Sequence, residues 1–385
     1  MNPSESPHIM LLAGEASGDA HAAEVAIELK KMQPGIRLSG MGSDEMQQVG
    51  VDLFFDSRDI AVVGIVEILK HWGDIKKALD LVKHKLETTR PDLLILVDYP
   101  EFNLKMARHA KSLGIKVLFY ISPQVWAWRP KRIHKIGRSI DHMAVLFEFE
   151  VDYYRRADIP VTFVGHPLVD KVKTSEHVGT TRQRLGIEHD ARVVGLFPGS
   201  RHSEINKHLE LLLDTAVLMQ QQNAALQFVL PVASSLNYDE IKLTCDRYDI
   251  KLTLTQGELY DVIANCDAIA SCSGTVTLEI ALLQIPMCIF YKTSELSYQI
   301  LKRLVTIDHL GLANIITQKE IVRELIQHDA SPQKISAELF ELLNNENYRA
   351  KVIEDLKLVK QSLGMGQGSK RMAELALSLL GVCRV

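Results

Sequence analysis

The sequence predicts an α/β protein built from two doubly wound, Rossmann-like domains. Three observations carry this. Short apolar runs alternate with amphipathic segments; the alternation stops once and restarts; and glycine-containing turns follow several of the apolar runs. With 385 residues, 46% hydrophobic and 24% charged, the chain is long enough for two cores of ordinary size.

In chain order the first strands are HIMLLA, PDLLILVD, IKVLFYIS and DHMAVLF. Each is an apolar run bounded by turns, the pattern of parallel strands covered on both faces by helices. After VTFVGHPLVD the polar stretch KVKTSEHVGTTRQRLGIEHDA interrupts, and strands resume with RVVGLFP, LQFVLPV, IKLTLT, CDAIAS and PMCIFY. From about Ser331 the pattern is helical only. The expected organisation is a first domain over residues 1–170, a second over 171–345, and helices over 346–385 that cross back onto the first domain. Two such domains face each other across a cleft lined by the carboxyl ends of both sheets, where open α/β folds bind ligands.

Composition narrows the function. A net charge of −4 argues against general nucleic-acid binding, so no nucleic-acid partner is expected. Cys245, Cys266, Cys272, Cys288 and Cys383 lack zinc-ligand or CxxC spacing and read as reduced thiols of a cytoplasmic protein. The start, MNPSESPHIMLLAGE, has no basic region and fits a first strand better than a signal peptide. No run reaches the ~20 apolar residues of a membrane span.

Four stretches carry chemistry. In GLFPGSRHSE, Gly199 and Ser200 follow a strand and precede a helix, so backbone N–H groups and Arg201 suit phosphate oxygens. The plain alternative is a solvated turn with Arg201 paired to Glu204. SCSGTVTLE repeats the arrangement with Ser273, Gly274 and Thr275, and Glu279 lies one turn into the helix, where a carboxylate suits ribose hydroxyls. Two such loops in one domain point to a nucleotide diphosphate. In PDLLILVDYPEFN, Asp98 ends an apolar strand, where an ionisable group is costly unless paired or used. YISPQVWAWRPKRIHKIGR then sets Trp126 and Trp128 beside Arg129, with the later basic residues reading as a surface helix. No DxD pair occurs, so neither a metal nor a cofactor is expected.

Taken together, GEASGD, SPQVWAWR followed by KR and KIGR, VGHPLVD, PGSR with an acid three residues on, and SGTVTLE occur in the order and spacing of the lipid-A-disaccharide synthases. The chain resembles that family over nearly its whole length. The resemblance implies a GT-B glycosyltransferase that joins UDP-2,3-diacylglucosamine to 2,3-diacylglucosamine 1-phosphate, giving a β-1,6 disaccharide phosphate and UDP. It implies Asp98 as the base, and UDP on Gly199, Ser200, Arg201, Ser273, Gly274, Thr275, Glu279 and Asn314. On the acceptor side it implies Gly14, Glu15, Ser17, Gly18, Asp19, Asn103, Trp126 and Arg129. Departures are DYPEFN for the commoner DAPDFN and GLANIITQKEIV for GLPNILAGREIV.

Acylated substrates imply a peripheral protein at the inner face of the inner membrane. The amphipathic stretch GIVEILKHWGDIKKALDLVKHKL offers Ile65, Ile68, Leu69, Trp72 and Ile75 as acyl contacts, with lysines beside them. Two other readings are another UDP-GlcNAc transferase and a UDP-sugar epimerase of the same fold. A non-catalytic lipid carrier does not require Asp98, Arg201 and Glu279.

Overall fold

The computed structural model describes residues 6–60, 72–127, 130–295, 298–299 and 308–382. It divides into two compact units, Met1–Pro167 with Leu363–Val385, and Leu168–Ser362.

The first unit is a seven-stranded parallel sheet of β1 (His8–Ala13), β2 (Arg37–Gly42), β3 (Asp52–Asp56), β4 (Leu93–Val97), β5 (Lys116–Tyr120), β6 (His142–Val145) and β7 (Val161–Phe163), in the order 3-2-1-4-5-6-7. β1 and β4 pair from Ile9↔Leu93 to Ala13↔Val97 and are buried throughout. Alternation divides their side chains between two apolar layers. Met10, Leu12, Leu94 and Leu96 pack with Ala78, Val82 and Leu86 of the helix Trp72–Thr89. Ile9, Leu11, Leu93 and Ile95 pack with Ala22, Ala26 and Leu29 of the helix Ala16–Met32 and with Met372 and Leu377 of the helix Gly368–Leu380.

The second unit is a six-stranded parallel sheet of β8 (Val193–Phe197), β9 (Gln227–Pro231), β10 (Leu252–Thr255), β11 (Ala268–Cys272), β12 (Met287–Tyr291) and β13 (Glu324–Ile326), in the order 10-9-8-11-12-13. Both sheets reverse direction of growth once, between β1 and β4 and between β8 and β11. Those switch points are where the carboxyl ends of open sheets leave a crevice.

Only the last helix joins the first unit. Glu346–Ser362 lies in the second unit, where Val352, Leu356 and Val359 are buried and the helix packs on Val276–Leu282, Leu312–Thr317 and Pro332–Asn344. The crossing therefore comes at Leu363, not at 346. Beyond it Arg371 Nε donates to the Val164 carbonyl (2.8 Å) and Ser369 to Glu24 (2.9 Å). β2, β3 and β13 are absent from the apolar runs of the sequence: RLSGMG and DLFFD are too polar or glycine-rich to stand out, and ELI is three residues long.

Ile75 is a core residue, 9% exposed in the layer beneath β1 and β4, because it shares the inward stripe of its helix with Ala78, Val82 and Leu86. It is not available to acyl chains. Ile65, Ile68 and Leu69 lie outside the described residues, as do Trp128, Arg129, Cys383 and the side chain of Trp72. The other four cysteines are buried free thiols.

Candidate active site

β4 ends at the switch point of the first sheet, and the next two residues, Asp98 and Tyr99, both take left-handed backbone conformations (φ +48° and +46°). For side-chain-bearing residues that costs ~1–2 kcal/mol each. The conformation is held by hydrogen bonds. Asp98 N–H donates to the Tyr120 carbonyl (3.0 Å), and the buried Asn103 amide donates to the carbonyls of Asp98 (2.7 Å) and Val97 (3.2 Å). Pro100 then opens the helix Pro100–Ser112.

The bend turns Asp98 into a cavity of about 250 Å³ whose wall includes Ile121, Ser122, Gln124 and Arg132. Ile121 is itself left-handed (φ +69°), a costly state for a β-branched residue. Burial raises the Asp98 carboxyl above its ordinary range, against a smaller opposing effect of the Tyr99 N–H. Arg132, ion-paired to Glu101 at 2.7 Å, is the cation in this wall. Sequence patterning leaves Arg132 among the surface basic residues; only its place in one cavity wall with Asp98 and Ser122–Val125 distinguishes it.

Beneath the cavity lies a buried polar network. Ser122 shares a 2.7 Å hydrogen bond with the Tyr154 hydroxyl, and Glu150 accepts from Trp126 Nε1 (3.0 Å) and from Phe147 N–H (3.3 Å). Glu150 is 2% exposed, and desolvation pushes its carboxyl up to about 7. Trp126 is thus an interior residue, its ring also edge-on to Phe149, and it does not present itself to a sugar.

Other expected acceptor contacts separate in the same way. Glu15 and Ser17 are exposed at the start of the helix Ala16–Met32, and Gly18 is buried against β4. Asp19 is buried and consumed: its carboxylate accepts from Ser43 N–H (2.6 Å), Ser43 Oγ (2.8 Å) and Glu45 N–H (2.9 Å), capping the helix Asp44–Gln48 rather than meeting hydroxyls. Gly14 makes room for the Tyr99 ring, since a Cβ there would lie 2.2 Å from a ring carbon. Asn103 works on the backbone of Asp98, not on a ligand.

In the second unit the two expected loops flank the other switch point, after β8 and β11. Gly199 is left-handed (φ +118°), with no space for a Cβ beside Glu204. Ser200 N–H (2.9 Å) and Arg201 N–H (3.2 Å) donate to one carboxylate oxygen of Glu204, and the Arg201 guanidinium donates to the other (3.0 Å). The loop is an oxyanion cradle, and here its occupant is Glu204. His208, fully buried on the helix His202–Gln222 that also carries Glu204, ties the loop to the end of β12. Its Nδ1 lies 2.9 Å from the Pro198 carbonyl, and its Nε2 lies against the backbone of Lys292, 3.2 Å from the N–H and 3.1 Å from the carbonyl. After β11, Gly274 and Thr275 are exposed, while Ser273 Oγ donates to the Leu310 carbonyl (3.3 Å).

Glu279 is half-buried with its carboxyl raised by burial, and it accepts a hydrogen bond from Tyr260 (3.2 Å). Tyr260 carries no motif in the sequence; packing of Leu259–Ala264 alone brings it there. Asn314 is not free for a nucleotide. Its amide donates to the Val322 carbonyl (2.8 Å) and Glu324 (2.7 Å), and its oxygen accepts from the N–H groups of Ile321 (2.8 Å) and Val322 (3.0 Å). All of its bonding capacity folds the 314–324 turn. Among the described residues no group of three or more His, Cys, Asp or Glu is placed to hold a metal ion.

Comparison with known proteins bears on the fold and the family. Solved structures of similar fold include the UDP co-structure of S. aureus MnaA (TM-score 0.68, 11% identity, 98% of each chain covered). They also include UDP-GlcNAc 2-epimerase from Neisseria meningitidis bound to UDP-GlcNAc (TM-score 0.64, 13% identity, 96% of this chain and 100% of that one). At such identities the likeness is one of fold. In sequence the chain is 46% identical over 381 residues to lipid-A-disaccharide synthase of Geobacter sulfurreducens, covering 99% of both. It is 44% identical over 375 residues to that of Nitrosococcus oceani, covering 97% of both. Residues 9–378 match the family model described as lipid-A-disaccharide synthetase. With the spacing of its motifs and its two parallel-sheet units, the chain belongs to the lipid-A-disaccharide synthase family.

Proposed function

We propose that Asp98 is the general base with which this glycosyltransferase of lipid A synthesis activates its acceptor. The observation that carries the reading is Asp98 itself, at the end of β4, bent into a cavity and raised by burial above the ordinary carboxylate range, the direction that suits a general base. The carboxylate takes the proton of the acceptor 6-hydroxyl as that oxygen bonds to the anomeric carbon of UDP-2,3-diacylglucosamine. The bond from that carbon to UDP breaks on the opposite face, so the configuration inverts. Charge on the departing diphosphate falls to the Gly199–Arg201 cradle, where it competes with Glu204, and to the Ser273–Thr275 turn. Glu279, oriented by Tyr260, takes the ribose hydroxyls. The first unit is the acceptor domain and the second the donor domain. The reaction takes place at the inner face of the inner membrane without a metal. No helix among the described residues is long and apolar enough to cross a membrane.

Purified protein given UDP-2,3-diacylglucosamine releases UDP in step with disaccharide phosphate only when the acceptor is present. Release of UDP without acceptor, and without a disaccharide, is the epimerase result and ends the transferase reading. Within the donor unit, Arg201→Ala weakens UDP by ~1.5–3 kcal/mol through a lost charge-assisted bond. Glu279→Gln cuts the preference for UDP over 2′-deoxy-UDP by about tenfold. Calorimetry with the two nucleotides checks both, and unchanged affinities place the nucleotide elsewhere.

A further inference from the structure

A second cavity, of about 200 Å³, adjoins the Asp98 cavity and has Arg132 as a wall common to both. Lys105 and Arg108 reach it from the helix Pro100–Ser112, and Lys135 from the helix Ile133–Gly137. Four cations thus converge on one small space, and among the described residues its single carboxylate is Glu101, which is ion-paired to Arg132 at 2.7 Å. The arrangement runs against the chain's own balance, since acids outnumber bases by 48 to 44 overall. Each segment contributes its cations three residues apart, Lys105 with Arg108 and Arg132 with Lys135. Arg108 is further oriented, its Nε donating to the Leu104 carbonyl (3.2 Å).

We infer that this cationic cavity is a phosphate-monoester subsite that receives the 1-phosphate of the acceptor while its 6-hydroxyl lies at Asp98. The inference rests on the proposed function. In that reading the donor's phosphates belong to the loops of the second unit, so the acceptor's dianion requires cations of its own, in the unit that carries the base. Guanidinium and ammonium groups from two segments surround a tetrahedral dianion from several sides, which a lone surface lysine does not.

The test uses Arg108→Gln/Lys135→Gln, at two exposed positions outside the Asp98 wall, and two acceptors in detergent micelles: 2,3-diacylglucosamine 1-phosphate and the same sugar without phosphate. The double variant lowers kcat/KM for the phosphorylated acceptor roughly 10–100-fold. It leaves kcat/KM for the phosphate-free sugar, UDP affinity and the melting temperature unchanged. Equal losses on both acceptors overturn the inference. So does an unchanged micelle assay accompanied by lost flotation with phosphatidylglycerol vesicles, which assigns the cations to lipid headgroups instead. Should wild type transfer to neither acceptor, the proposed function fails by itself. The subsite is then judged by NMR titration with glucosamine 1-phosphate, which wild type binds and the double variant does not; equal responses of the two proteins overturn it.

Discussion

Asp98→Asn lowers turnover by ~10²–10⁴ while UDP binding stays near wild type, because the amide keeps the shape of the side chain and loses only its ability to take a proton. The backbone of this residue is held by the Tyr120 carbonyl and the Asn103 amide, and the asparagine side chain keeps an oxygen for the Tyr99 N–H, so the substitution leaves the bend after β4 in place. The pH profile supplies the second readout. A buried carboxylate with a raised pKa is active only when ionised. The acid limb of kcat/KM in the wild type therefore falls above the usual carboxylate range and is missing from the residual activity of the variant. Near-normal turnover of Asp98→Asn removes Asp98 from the mechanism.

The second large effect concerns Glu150 and stability. Its carboxyl is pushed up to about 7 in the folded protein by burial, against an ordinary value of 4.5. Between those values the folded chain keeps a proton that the unfolded chain has released, so stability falls as pH rises through this window. The full span is worth about 3 kcal/mol. Glu150→Gln stays neutral throughout and still offers an oxygen to Trp126, so its stability loses this component of the pH dependence. Urea unfolding of both proteins at pH 4.5 and 7.5 measures the difference; parallel profiles show that Glu150 is not held protonated. The consequence reaches the active site because Ser122, a wall residue of the Asp98 cavity, is one of the groups that favour the ionised Glu150 carboxyl against burial.

How far the site was legible follows from what each residue type requires. Asp98 is visible as a charge at the end of LLILV, and the phosphate-type loops are visible as glycine turns between an apolar run and a helix. The same reasoning sends Asp19, Asn103, Trp126 and Asn314 to ligands, whereas the structure spends them on the protein itself. Their bonds close on the protein's own backbone and side chains: Asp19 on Ser43 and Glu45, Trp126 on Glu150, Asn103 on the carbonyls of Val97 and Asp98, Asn314 on Val322 and Glu324. A motif marks such a residue as unusual without stating whether it serves a ligand or the fold. Ile75 illustrates the converse. An amphipathic stripe predicts one apolar face, and packing against Met10, Leu12 and Leu94 decides that the face is turned inward here.

By itself the sequence determined the two parallel-sheet domains, the family and the positions of Asp98 and the loops after β8 and β11. These depend on local periodicity and on short contiguous motifs, which are properties of neighbouring residues. Only the tertiary structure decided that Arg132 joins Asp98 while cations of two segments, Lys105 and Arg108 of one and Lys135 of the other, gather beside it, and that Tyr260 reaches Glu279. The reason is that these meetings join side chains from separate segments whose spacing along the chain carries no period, and burial and electrostatics act on distance in space.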